Sequence, residues 1–266
     1  MGTDIHQNSL VSDRHPKYFE WVSAEGLATF YTYTNFDEID QYKDEDRYAI
    51  LLESSSIVPD KVEWLHNNSH LFNKIFTHNS DILRACSNAR WIPGGGIWVG
   101  TPFGGGEVKL YEKRKLISMV SSDKTMVPLH VFRAKLAHYL HTRYYGDVYG
   151  TLVGKFVKPS EYLVEYMFSV IIENNIDDLY FTEKLLNCFA TGTIPIYCGA
   201  RDIGKIFDTN GILTFGSYNE FFDIYYTLSE DLYNSKLKAV QRNFELCSQF
   251  ACPEDYMWEH YLKEDL

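Results

Sequence analysis

The chain has no CxxC pair. Its five cysteines, Cys86, Cys188, Cys198, Cys247 and Cys252, are scattered and odd in number. That spacing excludes a zinc ribbon and argues against a disulfide framework, so free thiols in a reducing compartment are expected. No apolar run approaches the ~18–20 residues of a membrane span, and the opening MGTDIHQNSL lacks the basic and apolar regions of a signal peptide. A cytoplasmic location is the expectation. Basic residues are also in short supply: 25 Lys and Arg stand against 36 Asp and Glu, a formal net charge of −11. That balance excludes non-specific nucleic-acid binding, which needs a cationic surface to neutralise phosphates. It leaves room for one nucleotide held in a locally basic cleft. Metal-ligand sets are missing as well. His138 and His141 are three apart on an expected helix but lack partners, and the D-x-D string of Asp44–Asp46 precedes a strand instead of following one.

What is present suits an ordinary globular protein. The chain has 266 residues, 45% hydrophobic and 23% charged, enough for one large domain or two small ones. Aromatics reach 16%, a high share; they fill cores and also line carbohydrate or base-stacking sites, and core filling is the expected use here. YAILLES, residues 48–54, reads as a buried strand that ends at a carboxylate, Glu53. KIFTH is a short strand, SDILRACS a short helix capped by Ser80 or Asp81, and RWIP a further strand. Then GGGIWVGTPFGGGE, residues 94–107, places seven glycines and a proline in fourteen residues and cannot form a regular element. It is no dinucleotide fingerprint, since its glycines do not open a helix. The expected domain boundary falls there, giving units 1–107 and 108–266.

The second unit alternates strand and helix, which predicts an α/β fold with a parallel sheet covered on both faces. KLISMVSS is a strand, and PLHVFRAKLAHYLHTRY a helix with Pro128 in its first turn. PSEYLVEYM is a short helix with Ser160 as a cap-like residue. Residues 167–173 form a buried strand, residues 180–190 a helix capped by Asp177 or Asp178 and ended by Gly192, and residues 193–198 a returning strand. A long helical tail from about residue 218 to 250 closes the pattern. In such a βαβ unit, the strand's carboxyl end and the next helix's start face one crevice, where ligands bind. Lys184 adds a full charge to the helix start, Glu183 can accept two ribose-like hydroxyls, and Tyr180 can touch a base or a phosphate. From spacing alone the cluster reads either as a nucleotide-diphosphate seat without a P-loop or as ordinary capping and solvated charge.

The letters add more. FSVIIENNIDDLYFTEKLLNCFATGTIPIYCGA closely resembles the donor-binding motif of the α-1,3-fucosyltransferases, glycosyltransferase family ten. The apolar strand ending in Glu173-Asn174, the run Tyr180-Phe181-Thr182-Glu183-Lys184, and Gly192 with Pro195 and Gly199 all match. Upstream, ISMVSSDKTMVPLHVFRAKLAHYL is similar to the family's strand, turn and Arg-bearing helix, with Asp123 where the family has Asn. LLESSS, IFTHNSDIL and WIPGGG resemble the first domain more loosely. The resemblance spans about residues 48–250 and is densest over 115–205.

It implies a GT-B-like arrangement of two Rossmann-like domains with parallel sheets, the N-terminal one short: an acceptor side, 1–107, and a nucleotide-sugar side, 108–266, that includes the C-terminal helices. It further implies an inverting glycosyltransferase that moves L-fucose from GDP-fucose to a hydroxyl of a glycan acceptor. Glu53 is then the catalytic base. Arg133, Glu173, Asn174, Tyr180, Thr182, Glu183 and Lys184 form the donor site, with Arg133 and Lys184 on the diphosphate. No metal or other cofactor is expected, and the absence of an anchor resembles the soluble bacterial or viral members. Three alternatives stay open: a same-fold transferase using another nucleotide sugar, a non-catalytic nucleotide-sugar-binding protein, and a phosphate-binding α/β protein unrelated to sugars.

Overall fold

Alternating apolar side chains build a first sheet from four short strands: β1 (Thr29–Thr32), β2 (Arg47–Leu51), β3 (Lys74–Thr77) and β4 (Ala89–Trp91). They pair in chain order and all in parallel. The computed structural model describes residues 10, 14–21, 28–36, 39 and 46–264. Asp44 of the D-x-D string therefore lies outside the described residues. The period of two along β2 sorts its side chains between faces. Ala49 and Leu51 join Leu65 of α1 (Pro59–Asn67) and Ile82 of α2 (Ser80–Ala85), whereas Tyr48 and Ile50 join Met257 and Leu262 from the end of the chain. That last contact differs from the expected division, which left the C-terminal helices on the donor side. Met257 and Leu262 are fully buried, and each contributes about 2–3 kcal/mol toward holding the chain's end on the first sheet.

The second sheet contains β5 (Lys115–Val120), β6 (Asp147–Tyr149), β7 (Tyr166–Ile172), β8 (Ile194–Cys198) and β9 (Leu213–Thr214). Its order is β6-β5-β7-β8-β9, again all parallel. Helices cover both faces. α3 (Pro128–Arg143) and α6 (Tyr218–Tyr225) pack on one, and α4 (Pro159–Leu163) and α5 (Glu183–Thr191) on the other. β7 is buried throughout, as a run that is apolar but for Ser169 requires, and Ser118 Oγ donates to Ser169 Oγ. The order reverses between β5 and β7, so the carboxyl ends of these two strands splay into a crevice at the topological switch point.

Several helix ends differ from expectation. Asn79 caps α2, its Oδ1 accepting from the Ile82 amide at 3.0 Å, because Ser80 and Asp81 already lie inside the first turn. Lys158 precedes α4, and Ser160 is within it. Thr182, not Asp177 or Asp178, caps α5; Gly192 ends it with φ of 72°, the left-handed turn that glycine adopts without strain. The helical tail is three pieces, α6, α7 (Glu230–Ser235) and α8 (Leu237–Cys247), followed by α9 (Pro253–Met257). Ser217 caps the start of the tail, and Ser229 caps a new start that breaks the run.

The segment between the sheets is anchored, not slack. Lys113 Nζ donates to the carbonyls of Leu163, Val164 and Thr191 and to Thr193 Oγ1, at 2.8–3.2 Å. Asn187 Oδ1 accepts from the Trp98 and Val99 amides. All five cysteines are free and buried, and no described helix is long and apolar enough to cross a membrane.

Candidate functional site

The loop after β7 carries most of the residues singled out from the sequence, and the fold explains its conformation. Glu173 follows the last apolar residue of β7 and is fully buried. Its carboxylate accepts from the Thr182 amide at 3.0 Å and from Thr182 Oγ1 at 2.8 Å, so it clamps the start of α5 from below. Lys184 Nζ reaches Thr182 Oγ1 at 3.1 Å, Glu183 Oε1 at 3.0 Å and Glu173 Oε2 at 3.6 Å. Burial opposes a charge on Lys184, but the carboxylates of Glu183 and Glu173 outweigh it and raise its pKa. Burial in turn raises the pKa of Glu173, with Lys184 opposing. Glu173 thus acts through Thr182 and Lys184, while the Lys184 side chain keeps 27% exposure and Glu183 keeps 19%.

Arg133 meets this cluster from α3. It is 6% exposed, donating from Nη1 to the Ile172 carbonyl at 3.3 Å and from Nη2 to Ser122 Oγ at 3.1 Å. Those two acceptors are the carboxyl ends of β7 and β5, so Arg133 spans the switch point. Its Nε is buried with no partner. Burial lowers its pKa, with Glu173, Glu183 and Tyr180 acting the other way. An arginine and a lysine thus share one crevice with two carboxylates that partly neutralise them.

Across the crevice stands Glu53, two residues past β2. Asn174 Nδ2 donates to Glu53 Oε1 at 3.2 Å, and Tyr180 Oη donates to Asn174 Oδ1 at 2.7 Å. Nearby, Ser56 Oγ donates to Asn175 Oδ1 at 2.7 Å, and Asn175 Nδ2 donates to Ser55 Oγ at 3.2 Å. The carboxyl ends of β2 and β7 therefore face each other directly. Of the eight residues singled out from the sequence, Glu53, Asn174 and Tyr180 meet at this contact, Glu173, Thr182, Glu183 and Lys184 cluster at the start of α5, and Arg133 approaches that cluster from α3. Asp177, expected to cap α5, instead accepts from the amide and hydroxyl of Ser80 at the start of α2, and Asp178 pairs with Arg84 and Arg201. These polar ties hold the two sheets in register across the cleft.

Sequence reasoning missed four residues beside this cluster. His78 is buried against Tyr180, ring centroids 4.3 Å apart, and its Nε2 donates to the Leu52 carbonyl at 2.9 Å. Burial pulls its pKa down to about 4, so the ring is a neutral wall. Its signal was its place, the first residue after β3. Gly94 and Gly95, read only as linker, lie on the start of α5. A methyl at Gly94 would come within 2.9 Å of the Phe181 carbonyl oxygen, and one at Gly95 within 2.7 Å of the Glu183 amide nitrogen. Glycine here serves close approach of two backbones. His130, in the first turn of α3, lies close to Arg133, Lys124 and Lys184. Among the described residues, no group of three or more His, Cys, Asp or Glu is arranged to hold a metal ion.

Two parallel α/β sheets whose carboxyl ends confront each other over such a cleft make this a GT-B-type glycosyltransferase fold. An α1,3-fucosyltransferase solved with GDP aligns over 79% of this chain and 74% of its own, with TM-score 0.51 and 17% identity. The Anabaena protein Alr3699/HepE, in complex with UDP and glucose, aligns over 82% and 72%, with TM-score 0.55 and 11% identity. Both are likenesses of fold. The model of glycosyltransferase family 10 (fucosyltransferase), C-terminal part, matches residues 110–246, just over half of the chain. The chain belongs to that family. A Helicobacter pylori protein, alpha-(1,3)-fucosyltransferase FucT, is 30% identical over 76 residues, which are 29% of this chain and 16% of that protein's length. The resemblance read from the motifs, and the two-sheet fold it implied, are both borne out.

Proposed function

We propose that the protein transfers L-fucose, with inversion, from GDP-fucose to a hydroxyl of a glycan acceptor. One observation carries the reading: Glu53 of the first sheet meets Asn174 of the second at 3.2 Å, Asn174 in turn bonded to Tyr180, close to the cluster where Arg133 and Lys184 act on one another. Family membership and the name of the Helicobacter pylori relative support fucose as the sugar. In this reading the donor's diphosphate sits against Arg133 and Lys184, whose charge offsets the negative charge that grows as GDP departs. Glu183 takes the ribose, and Tyr180 and Asn174 shape the sugar side. Glu53 removes the acceptor's proton, held in place by the Asn174 amide. Glu173 and Thr182 position Lys184 without touching ligand.

The donor site works without a metal in this reading, the cationic part being taken by side chains. Transfer in excess EDTA should match transfer in its absence, and loss of turnover on chelation would refute that point. Glu53→Gln should bind GDP-fucose with wild-type affinity by calorimetry while transfer to a GlcNAc-type acceptor falls by about 10²–10⁴, the usual worth of a positioned base. Full turnover by this variant would place the base elsewhere. A thermal-shift panel of GDP, UDP, CMP and their sugars separates this reading from a same-fold transferase that uses another donor.

A further inference from the structure

His130 stands one turn before Arg133 on α3 and is 5% exposed. Its ring makes no hydrogen bond to any described residue, and its Nδ1 is buried with no partner. Arg133 Nε, on the same face of the crevice, is in the same state. Buried polar atoms are rarely left unpaired, and two of them together at the switch point mark the place of an absent acceptor. Three cations repel a charge on the ring: Arg133 on its own helix, Lys124 in the loop between β5 and α3, and Lys184 on α5. The carboxylates of Glu173 and Glu183 act on Arg133 and Lys184; among the described residues none acts on His130. Burial first, then these three cations, lowers the pKa of the imidazole below its ordinary 6.5 and keeps it neutral in the empty site.

Resting on the donor site proposed above, we infer that His130 takes up one proton when an anionic diphosphate seats among Arg133, Lys124 and Lys184, and that the imidazolium then donates a further charge-assisted hydrogen bond to the phosphates. The proton comes from solvent and settles on the ring, and no bond of the ligand breaks. The diphosphate's negative charge cancels the repulsion that kept the ring neutral, so its pKa in the complex lies above that of the empty site. Between the two values affinity rises as pH falls, by at most about tenfold per pH unit for one proton. The site thus carries less positive charge while empty than while loaded.

The probe is GDP-fucose, whose diphosphate diester does not titrate near neutrality, so any proton exchanged belongs to the protein. Calorimetry near pH 6.5 in buffers of different ionisation heat should show net proton uptake approaching one per ligand. His130→Gln, which keeps a donor but cannot charge, should abolish that uptake, flatten the affinity between pH 5.5 and 8, and weaken binding severalfold at the acid end. Heat independent of buffer, or uptake undiminished in His130→Gln, would overturn the inference. If His130→Gln does not fold, the wild-type buffer series together with His130→Asn decides the same question. Failure of both GDP and GDP-fucose to bind at any pH would instead sink the donor-site reading itself.

Discussion

Removing the ammonium of Lys184 tests the cationic crevice most directly. A unit charge about 4 Å from a phosphate oxygen is worth about 4 kcal/mol at an effective dielectric of about 20. Lys184 is partly exposed and already shares its charge with Glu173 and Glu183, so roughly half of that should survive as net affinity. Lys184→Ala should therefore weaken GDP binding by about 2 kcal/mol, or about 30-fold in Kd, by calorimetry. The same change strips Glu173 of its cation. Burial already raises the Glu173 pKa above 4.5, so its contribution to stability is fully present below about pH 4.5 and is lost as pH rises through the folded value. Without Lys184 that folded value climbs further, and each added unit deepens the loss at neutral pH by about 1.4 kcal/mol. Lys184→Ala should melt progressively earlier than wild type between pH 4.5 and 7, and adding Glu173→Gln should restore much of the difference. A folded Lys184→Ala protein that binds GDP within twofold of wild type would refute the electrostatic argument, and one whose stability ignores Glu173→Gln would refute the buried pair.

Two further outcomes follow from the walls of the cleft. Gly95→Ala pushes a methyl against the Glu183 amide, so it should cost about 1–3 kcal/mol by chemical denaturation and weaken GDP binding by displacing the start of α5; unchanged affinity would mean that the linker is no part of the site. His78 is held neutral, its pKa lowered from 6.5 to about 4 by burial, so the unfolded chain binds its proton more tightly and stability falls as pH drops from 6.5 to 4, by up to about 3 kcal/mol. His78→Gln should flatten that slope in a pH series of thermal melts, and a slope equal to wild type would show that another group is responsible.

Strands β2, β3, β4, β5, β7 and β8, the βαβ unit and the family were legible because each rests on local chemistry: apolar runs, glycine at a helix end, and an ordered string of polar residues from Glu173 to Lys184. The helix caps were not. Asp177 has the right side chain to cap α5, yet its carboxylate is taken by Ser80 at the start of α2, a partner almost a hundred residues away that no local pattern announces. The continuous tail expected from residue 218 ignored Ser229-Glu230-Asp231, a helix-start signal in plain view.

By itself the amino-acid order determined the family and gathered the polar residues from Glu173 to Lys184 in one loop, because residue types and their spacing are a property of the chain. Only the tertiary structure decided which of them touch solvent and which work from beneath it. Glu173 is buried and clamps Thr182, Gly94 and Gly95 pass from linker to close packing on the start of α5, and His130 emerges beside Arg133 and Lys184. The physical reason is that charge, burial and hydrogen-bond partnership depend on distances through space, and the strand order β6-β5-β7 sets those distances by bringing together the ends of strands that the chain separates.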